Sequence, residues 1–262
     1  MSAILLDDAI VHYEALGRGR PVLFLHGWVG SWRYWISGMQ ALSPMYRTYA
    51  LDFWGFGDTA KRKEGYKIEQ QAQLVIQFLE RMGISRTVFI GHGLGAIVAF
   101  LLSVKNPEIV DRIMAVETPM AINQINARMK TDQPSELADW LSGRSLSAEP
   151  TSQDILKIDP IAISTSISDL SVNNPVDYLH FNSIPCLLVY GLNDPAIMPP
   201  QTSQLDSLPE HINYFIFDQS GHFPMLDDSS RFNRLLVDFL SLPPGASPRQ
   251  LQLKEEWKRR VR

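Results

Sequence analysis

The sequence has a single cysteine, Cys186, in 262 residues. One thiol cannot form an internal disulfide, so the fold must stand on its apolar core. Cys186 opens the apolar run Cys186-Leu187-Leu188-Val189-Tyr190, which marks it as a buried, inert thiol rather than a reactive one. No apolar stretch approaches the ~20 residues of a membrane span. The opening Met1-Ser2-Ala3-Ile4-Leu5-Leu6-Asp7-Asp8 lacks a basic region and a long apolar stretch, so no signal peptide is expected and a cytoplasmic protein is the default. Positive charge is not in excess: Lys and Arg total 24 against 28 Asp and Glu, a formal net charge of -4. A nucleic-acid binder needs a basic face, so that class is excluded. No dinucleotide fingerprint occurs, because Gly91, Gly93 and Gly95 have the wrong spacing and follow a later strand than a Rossmann turn would. No His, Asp or Glu cluster has metal-ligand spacing. Neither a cofactor nor a metal is expected, and the partner is a small molecule.

Hydrophobic residues, at 45% of the chain, are ordinary for a globular protein. The length is near the upper size for one core. Ile4–Leu6 and Ile10–Ala15 read as two short strands joined by a tight turn at Asp7-Asp8. Val22–Leu25 is a continuous apolar run that suits a strand buried on both faces. A helix is expected from Ser31 to Leu42, then a strand over Tyr46–Leu51. Ile68–Met82 has helical spacing, with Ala72, Val75, Ile76 and Leu79 on one face. Thr87–Ile90 is the next strand, Leu94–Val104 a helix, and Arg112–Val116 a further strand. Strands Cys186–Gly191 and Asn213–Asp218 and helices near Gln201–Leu208 and Ser230–Leu240 complete the pattern. An antiparallel start followed by repeated strand–helix units implies an α/β fold, with a mostly parallel eight-stranded sheet and helices on both faces.

Between Thr118 and Phe181 there is no clean strand, and short amphipathic pieces alternate with polar clusters. This is too long for a simple loop, so an inserted helical cap is expected. The expected division is a core of residues 1–117 and 182–241, a cap of 118–181 and a tail of 242–262. The tail carries Arg249, Lys254, Lys258, Arg259, Arg260 and Arg262 and reads as solvated chain or a short surface helix.

Sites in such sheets lie at the carboxyl ends of strands, and every motif here follows one. Gly91-His92-Gly93-Leu94-Gly95 has the frame of a strand, G-x-S-x-G turn and helix, with Gly93 where a serine nucleophile stands. Glycine also relaxes a strained turn. In His26-Gly27-Trp28, the backbone N–H of Trp28 can donate to a developing oxyanion, with the N–H of Leu94 as second donor; His26 itself reads as structural. Asp194, in Gly191-Leu192-Asn193-Asp194-Pro195, and His222, in Ser220-Gly221-His222-Phe223-Pro224, follow successive strands. A carboxylate that accepts one imidazole N–H leaves the other nitrogen free as a base. Glu117 ends a strand beside the turn, as a second carboxylate in the site or a hinge of the cap. His92, Glu117 and Trp140 are the candidate substrate contacts. Met120, Ile122, Ile125, Met129, Leu137 and Trp140 form an apolar pocket wall or the cap's own core.

From Ile4 to Leu240 the chain resembles the α/β-hydrolase fold superfamily, in its capped esterase, lactonase and C–C hydrolase branch. The resemblance rests on His26-Gly27, Leu51-Asp52-Phe53-Trp54-Gly55-Phe56-Gly57-Asp58, Gly91–Gly95, Gly191–Asp194 and Gly221-His222. It implies a serine, acid and histidine triad, an oxyanion hole and a pocket under the cap. Asp194, His222, Trp28 and Leu94 match; Gly93 departs, and removes any acyl-enzyme step. Three functions are compatible with this set: an enzyme in which His222 activates water in the space left by the serine or moves a proton, acting on an ester or lactone; a non-catalytic protein that binds such a ligand; or a serine hydrolase inactivated at one position.

Overall fold

The computed structural model describes residues 2–142, 154–172, 177–179 and 183–251. Eight strands form one sheet in the order β1-β2-β4-β3-β5-β6-β7-β8. They are β1 Ser2–Leu6, β2 Ala9–Gly17, β3 Arg20–Leu25, β4 Tyr46–Leu51, β5 Thr87–His92, β6 Val110–Val116, β7 Cys186–Gly191 and β8 Ile212–Phe217. β2 pairs antiparallel with β1 and with β4, and all pairs from β4 through β8 are parallel. Every residue of β5 and β7 is buried, as a parallel strand covered on both faces must be. Cys186 is among them, and burial pushes its thiol up. At the β1–β2 turn, Asp7 and Asp8 take φ of 46° and 60°, the geometry whose twist matches a two-residue hairpin.

The helices follow from the same patterning. α1 (Ile36–Leu42) is entered through a 3₁₀ turn at Trp32–Trp35, where the sequence suggests one continuous helix. Ser31 accounts for the tighter start: its hydroxyl accepts the Arg33 N–H and donates to Asp154, so tertiary contacts set the first turn. α2 (Ile68–Met82) buries a stripe of Ile68, Ala72, Val75 and Leu79. α3 (Leu94–Lys105) is buried all round from Leu94 to Ser103, because it lies between β5, β6 and α2. Among the described residues no helix is long and apolar enough to cross a membrane.

Between β6 and β7 the described structure is helical. It comprises α4 (Arg128–Thr131), α5 (Pro134–Ser142), α6 (Pro160–Asp169) and 3₁₀ turns at Ile122–Gln124 and Ile155–Lys157. Residues 143–153, 173–176, 180 and 181 of the expected cap lie outside the described residues. Among the described residues, the ties of the insert to the core include two groups of contacts. Its first arm joins the loop after β7, through Asn126 N–H to Ala196 O at 2.8 Å and Met198 N–H to Gln124 O at 2.9 Å. Its second arm joins the loops after β3 and β4. Asp154, only 1% exposed, accepts from Ser31 Oγ at 2.5 Å and Arg33 Nε at 2.7 Å. Lys157 Nζ bridges Asp154 and Asp58, 2.8 Å from each. Burial alone raises the Asp154 carboxyl, but hydrogen bonds from Lys157 and Ser31 and the charges of Arg33 and Lys157 outweigh it and leave it lowered.

The segment after Leu240 is not free solvated chain as far as Leu251. Arg112 donates to the carbonyls of Phe239, Leu242 and Pro243, and Arg249 to those of Leu208 and Ile212. Backbone carbonyls left over at the ends of elements attract these guanidinium groups. The remaining basic positions, Lys254 to Arg262, lie outside the described residues.

Candidate active site

Parallel strands deliver their following loops to one edge of the sheet. β3 is followed by His26-Gly27-Trp28, β5 by Gly93, β6 by Glu117, and β7 and β8 by the loops of Asp194 and His222. Gly93 sits at φ 47° and ψ -108°, a conformation strained for any residue with a Cβ. Its N–H donates to Val116 O at 2.8 Å, and the Gly95 N–H to His26 O at 3.1 Å. Close packing demands the flanking glycines. A Cβ on Gly91 would stand 2.5 Å from Ala96 N, and one on Gly95 would collide with Leu25 O.

A Cβ on Gly93 would stand 3.1 Å from Cε3 and Cζ3 of the Trp28 indole. That indole is fully buried. Its Nε1–H donates to Ser166 Oγ of α6 at 3.0 Å, and Ser166 donates onward to Ala162 O at 2.7 Å. The space beside Gly93 is therefore bounded by an aromatic ring, where the sequence suggests room for water. Among the described residues, the backbone N–H groups of Trp28 and Leu94 have no hydrogen-bond acceptor.

His222 Nδ1 lies 2.8 Å from Asp194 Oδ2. A carboxylate accepts, so Nδ1 carries the hydrogen; in a neutral ring Nε2 then holds a lone pair. Nε2 is buried and has no partner among the described residues. Asp194 Oδ1 accepts the Ala196 N–H at 2.7 Å. Burial raises the Asp194 carboxyl, but the His222 charge and hydrogen bonds from His222, Glu117 and Ala196 outweigh it, so its pKa is lowered.

Glu117 has φ 46° and is fully buried. Its Oε1 accepts the Gly191 N–H. Its Oε2 makes no hydrogen bond of good geometry, yet the carboxyl interacts with Asp194. Burial first, then the Asp194 charge and a hydrogen bond to it, hold Glu117 well above the usual carboxylate range. The two adjacent buried carboxyls are thus shifted in opposite directions, Glu117 up and Asp194 down.

His92 and Glu117, the expected substrate contacts, both have fully buried side chains. Glu117 is turned toward Gly191 and Asp194. Both His92 nitrogens are engaged, Nδ1 with Tyr34 Oη at 3.1 Å and Nε2 with His222 O at 3.0 Å. Trp140 is half-buried on α5 and stacks under Arg128 of α4, 4.4 Å from guanidinium carbon to ring centre, a contact within the insert. His26 is a staple. Its Nδ1–H donates to Gly27 O and its Nε2 accepts the Phe53 N–H, joining the loops after β3 and β4. Burial lowers its pKa. Tyr34, Ser166 and Asp154 escape the sequence because each acts through a partner 58, 138 or 123 positions away. No local pattern marks them.

Among the described residues, His12, Asp52 and Asp58 bring possible metal-ligand atoms within 4.8 Å of one another. Most of their atoms are engaged, while His12 Nε2 and Asp58 Oδ2 make no hydrogen bond among the described residues. His12 Nδ1 bonds Asp52 Oδ2 at 2.8 Å, Asp52 Oδ1 accepts the Trp32 N–H, and the Lys157 ammonium meets Asp58. Burial pulls the His12 imidazole down, but the Asp52 hydrogen bond and the charges of Asp52, Asp58 and Glu14 leave it raised. The cluster is a self-compensated ion network.

A family model described as alpha/beta hydrolase fold matches residues 20–147. The chain is 21% identical over 253 residues to the pimeloyl-[acyl-carrier protein] methyl ester esterase of Vibrio cholerae, covering 87% of this chain and 97% of that protein. It is 26% identical over 258 residues to a putative carbamate hydrolase, RutD, of Stutzerimonas stutzeri, covering 88% and 97%. The crystal structure of the enol-lactonase from Burkholderia xenovorans superposes with a TM-score of 0.79 at 18% identity, covering 92% of this chain and all of that one. With the eight-stranded sheet and its order, these likenesses show that the chain has the α/β-hydrolase fold.

Proposed function

We propose that the protein acts on small, reactive, apolar ester- or lactone-like substrates without forming a covalent intermediate. The observation that supports this most is the His222–Asp194 pair: Nδ1 is held at 2.8 Å by Asp194 while Nε2 is buried and unpartnered. In this proposal Nε2 is the general base, taking a proton from water or from the substrate. Asp194 fixes the tautomer and stabilises the imidazolium that forms. The N–H groups of Trp28 and Leu94 receive the developing oxyanion. Gly93 marks the vacant nucleophile position of the elbow, so no acyl-enzyme forms. Oxyanion donors and binding without a complete triad still supply ~10³–10⁴-fold over water, which suits reactive substrates and no others.

Residues 118–181 serve as the cap in this proposal, and Glu117 supports Asp194 at its root. Because Nε2 is buried, substrate reaches it in this proposal through a local opening. The esterase and enol-lactonase names of the relatives agree with this substrate class. The experiment is turnover of a panel of small lactones and aryl esters by the wild-type protein and by His222→Ala. Slow turnover lost in the variant is expected; absence of turnover, or turnover that the variant retains, refutes the proposal.

A specific observation favours a second function. The Trp28 indole stands where a side chain at position 93 would press on it, as in a site that only binds. Saturable binding of an apolar lactone, followed by Trp fluorescence and without product, would select this alternative.

A further inference from the structure

We propose that Tyr34 and His92 are positioning residues. They form a buried hydrogen-bond chain that sets the Gly27-Trp28 loop and the His222 loop in register across the Gly93 turn. The directions of its bonds follow from chemistry alone. A carbonyl only accepts, so His92 Nε2 carries the hydrogen and donates to His222 O at 3.0 Å. In a neutral ring Nδ1 then holds a lone pair, and it accepts from the Tyr34 hydroxyl at 3.1 Å. The hydroxyl oxygen in turn accepts the Gly27 N–H at 2.5 Å. Each proton in the chain has one place to be.

Packing leaves the chain little freedom. His92 and His222 are fully buried and Tyr34 is 1% exposed. The Tyr34 and His92 rings meet edge to face at 5.5 Å and 90°, and the His92 and His222 rings at 4.7 Å. Phe223 packs against all three. A Cβ at Gly27 would stand 2.5 Å from His92 Nδ1, so glycine is what lets the imidazole reach this loop. The chain thus begins one residue before the Trp28 N–H and ends on the backbone of the proposed base. His92 itself is two residues before Leu94, the other proposed donor. One rigid link holds together groups that the proton-transfer proposal needs at fixed separation.

The chain also disfavours protonation of His92. A second ring hydrogen on Nδ1 would face the Tyr34 O–H that now points at it. Burial, the neighbouring His222 and the more distant His26 act in the same direction, and hold His92 well below an ordinary histidine.

The use made of the chain rests on the proton-transfer proposal, but its test needs no turnover. Long-range ¹H–¹⁵N correlation spectra of the full protein, labelled at histidine, read each ring's tautomer and titration. In the wild type His92 is expected to stay in the Nε2–H form from pH 5 to 8, and His222 to show a low-field Nδ1 proton held by Asp194. Tyr34→Phe removes one oxygen and keeps the ring. In it His92 should become a tautomer mixture, the low-field His222 proton should be lost to exchange, and the Gly27 amide should exchange about tenfold faster. His92→Phe, which keeps an aromatic ring in place, should lose the same His222 signal. Titration of His92 as an ordinary imidazole in the wild type overturns the proposal. So does Tyr34→Phe with both the His92 tautomer and the His222 signal unchanged. A protein inert toward every ester that still shows the wild-type signature would sink the proposed function and leave the positioning chain standing.

Discussion

Gly93→Ala tests whether the turn is bound to glycine by backbone and neighbour together. The backbone contribution comes from φ 47° and ψ -108°, a strained conformation that costs about 1–3 kcal/mol once a Cβ is present. The neighbour contribution comes from Trp28 Cε3 and Cζ3, each 3.1 Å from the new Cβ. The ring must give by a few tenths of an ångström while Ser166 holds its Nε1, at the low end of overpacking penalties, about 1 kcal/mol. A loss of about 2–4 kcal/mol is therefore expected. In a domain of this size that lowers Tm by roughly 5–10 °C. The assay is thermal unfolding by circular dichroism, repeated in a Trp28→Leu background. The φ strain is common to both backgrounds, so the difference between the two penalties isolates the indole contact. Gly93→Ala should cost about 1 kcal/mol less when Trp28 is leucine. Equal penalties in the two backgrounds would refute the steric coupling, and a Gly93→Ala protein as stable as the wild type would refute the strain as well.

Glu117→Gln keeps the shape and donor of a protonated carboxyl. The folded-state pKa of Glu117 is raised, so the folded protein binds more protons than the unfolded one above the unfolded value of ~4.3, and stability falls as pH rises from there. Glu117→Gln should therefore melt higher than the wild type at pH 8, with the difference vanishing near pH 4; the opposite trend in a calorimetric pH series would show that Glu117 is ionised. Asp154→Ala removes the shared acceptor of Ser31, Arg33 and Lys157. It should cost about 2–3 kcal/mol and raise hydrogen exchange in Pro160–Asp169, whereas a loss confined to global stability with α6 protected would contradict its tethering role.

Much of the fold was legible because buried parallel strands write themselves as apolar runs. Val22–Leu25 and Cys186–Gly191 need no context to be recognised, and each ends where a motif begins. The placement of Gly93, Asp194 and His222 at one sheet edge follows from that spacing. The relations among side chains were not legible. Glu117 gives no sign in sequence that its carboxyl will be raised, since burial first and then the nearby Asp194 charge make it so. His92 reads as a polar group beside a cavity, and it is withdrawn by Tyr34 and by a carbonyl 130 positions away. The 3₁₀ start of α1 and the packing of Leu242–Leu251 are likewise set by tertiary partners, Asp154 in one case and the carbonyls met by Arg112 and Arg249 in the other. Local pattern carries elements and strand ends; contacts across the sheet decide protonation and accessibility.

The central claim is that His222 Nε2 moves a proton for a site with no nucleophile. The most direct measurement is the steady-state rate of lactone or aryl-ester hydrolysis by the wild-type protein beside His222→Ala, each checked for folding by its melting curve. A slow wild-type rate that falls about 10²–10⁴-fold in the variant, the worth of a general base, is the predicted result. A wild-type protein with no rate above buffer, or a His222→Ala protein that matches it, contradicts the claim.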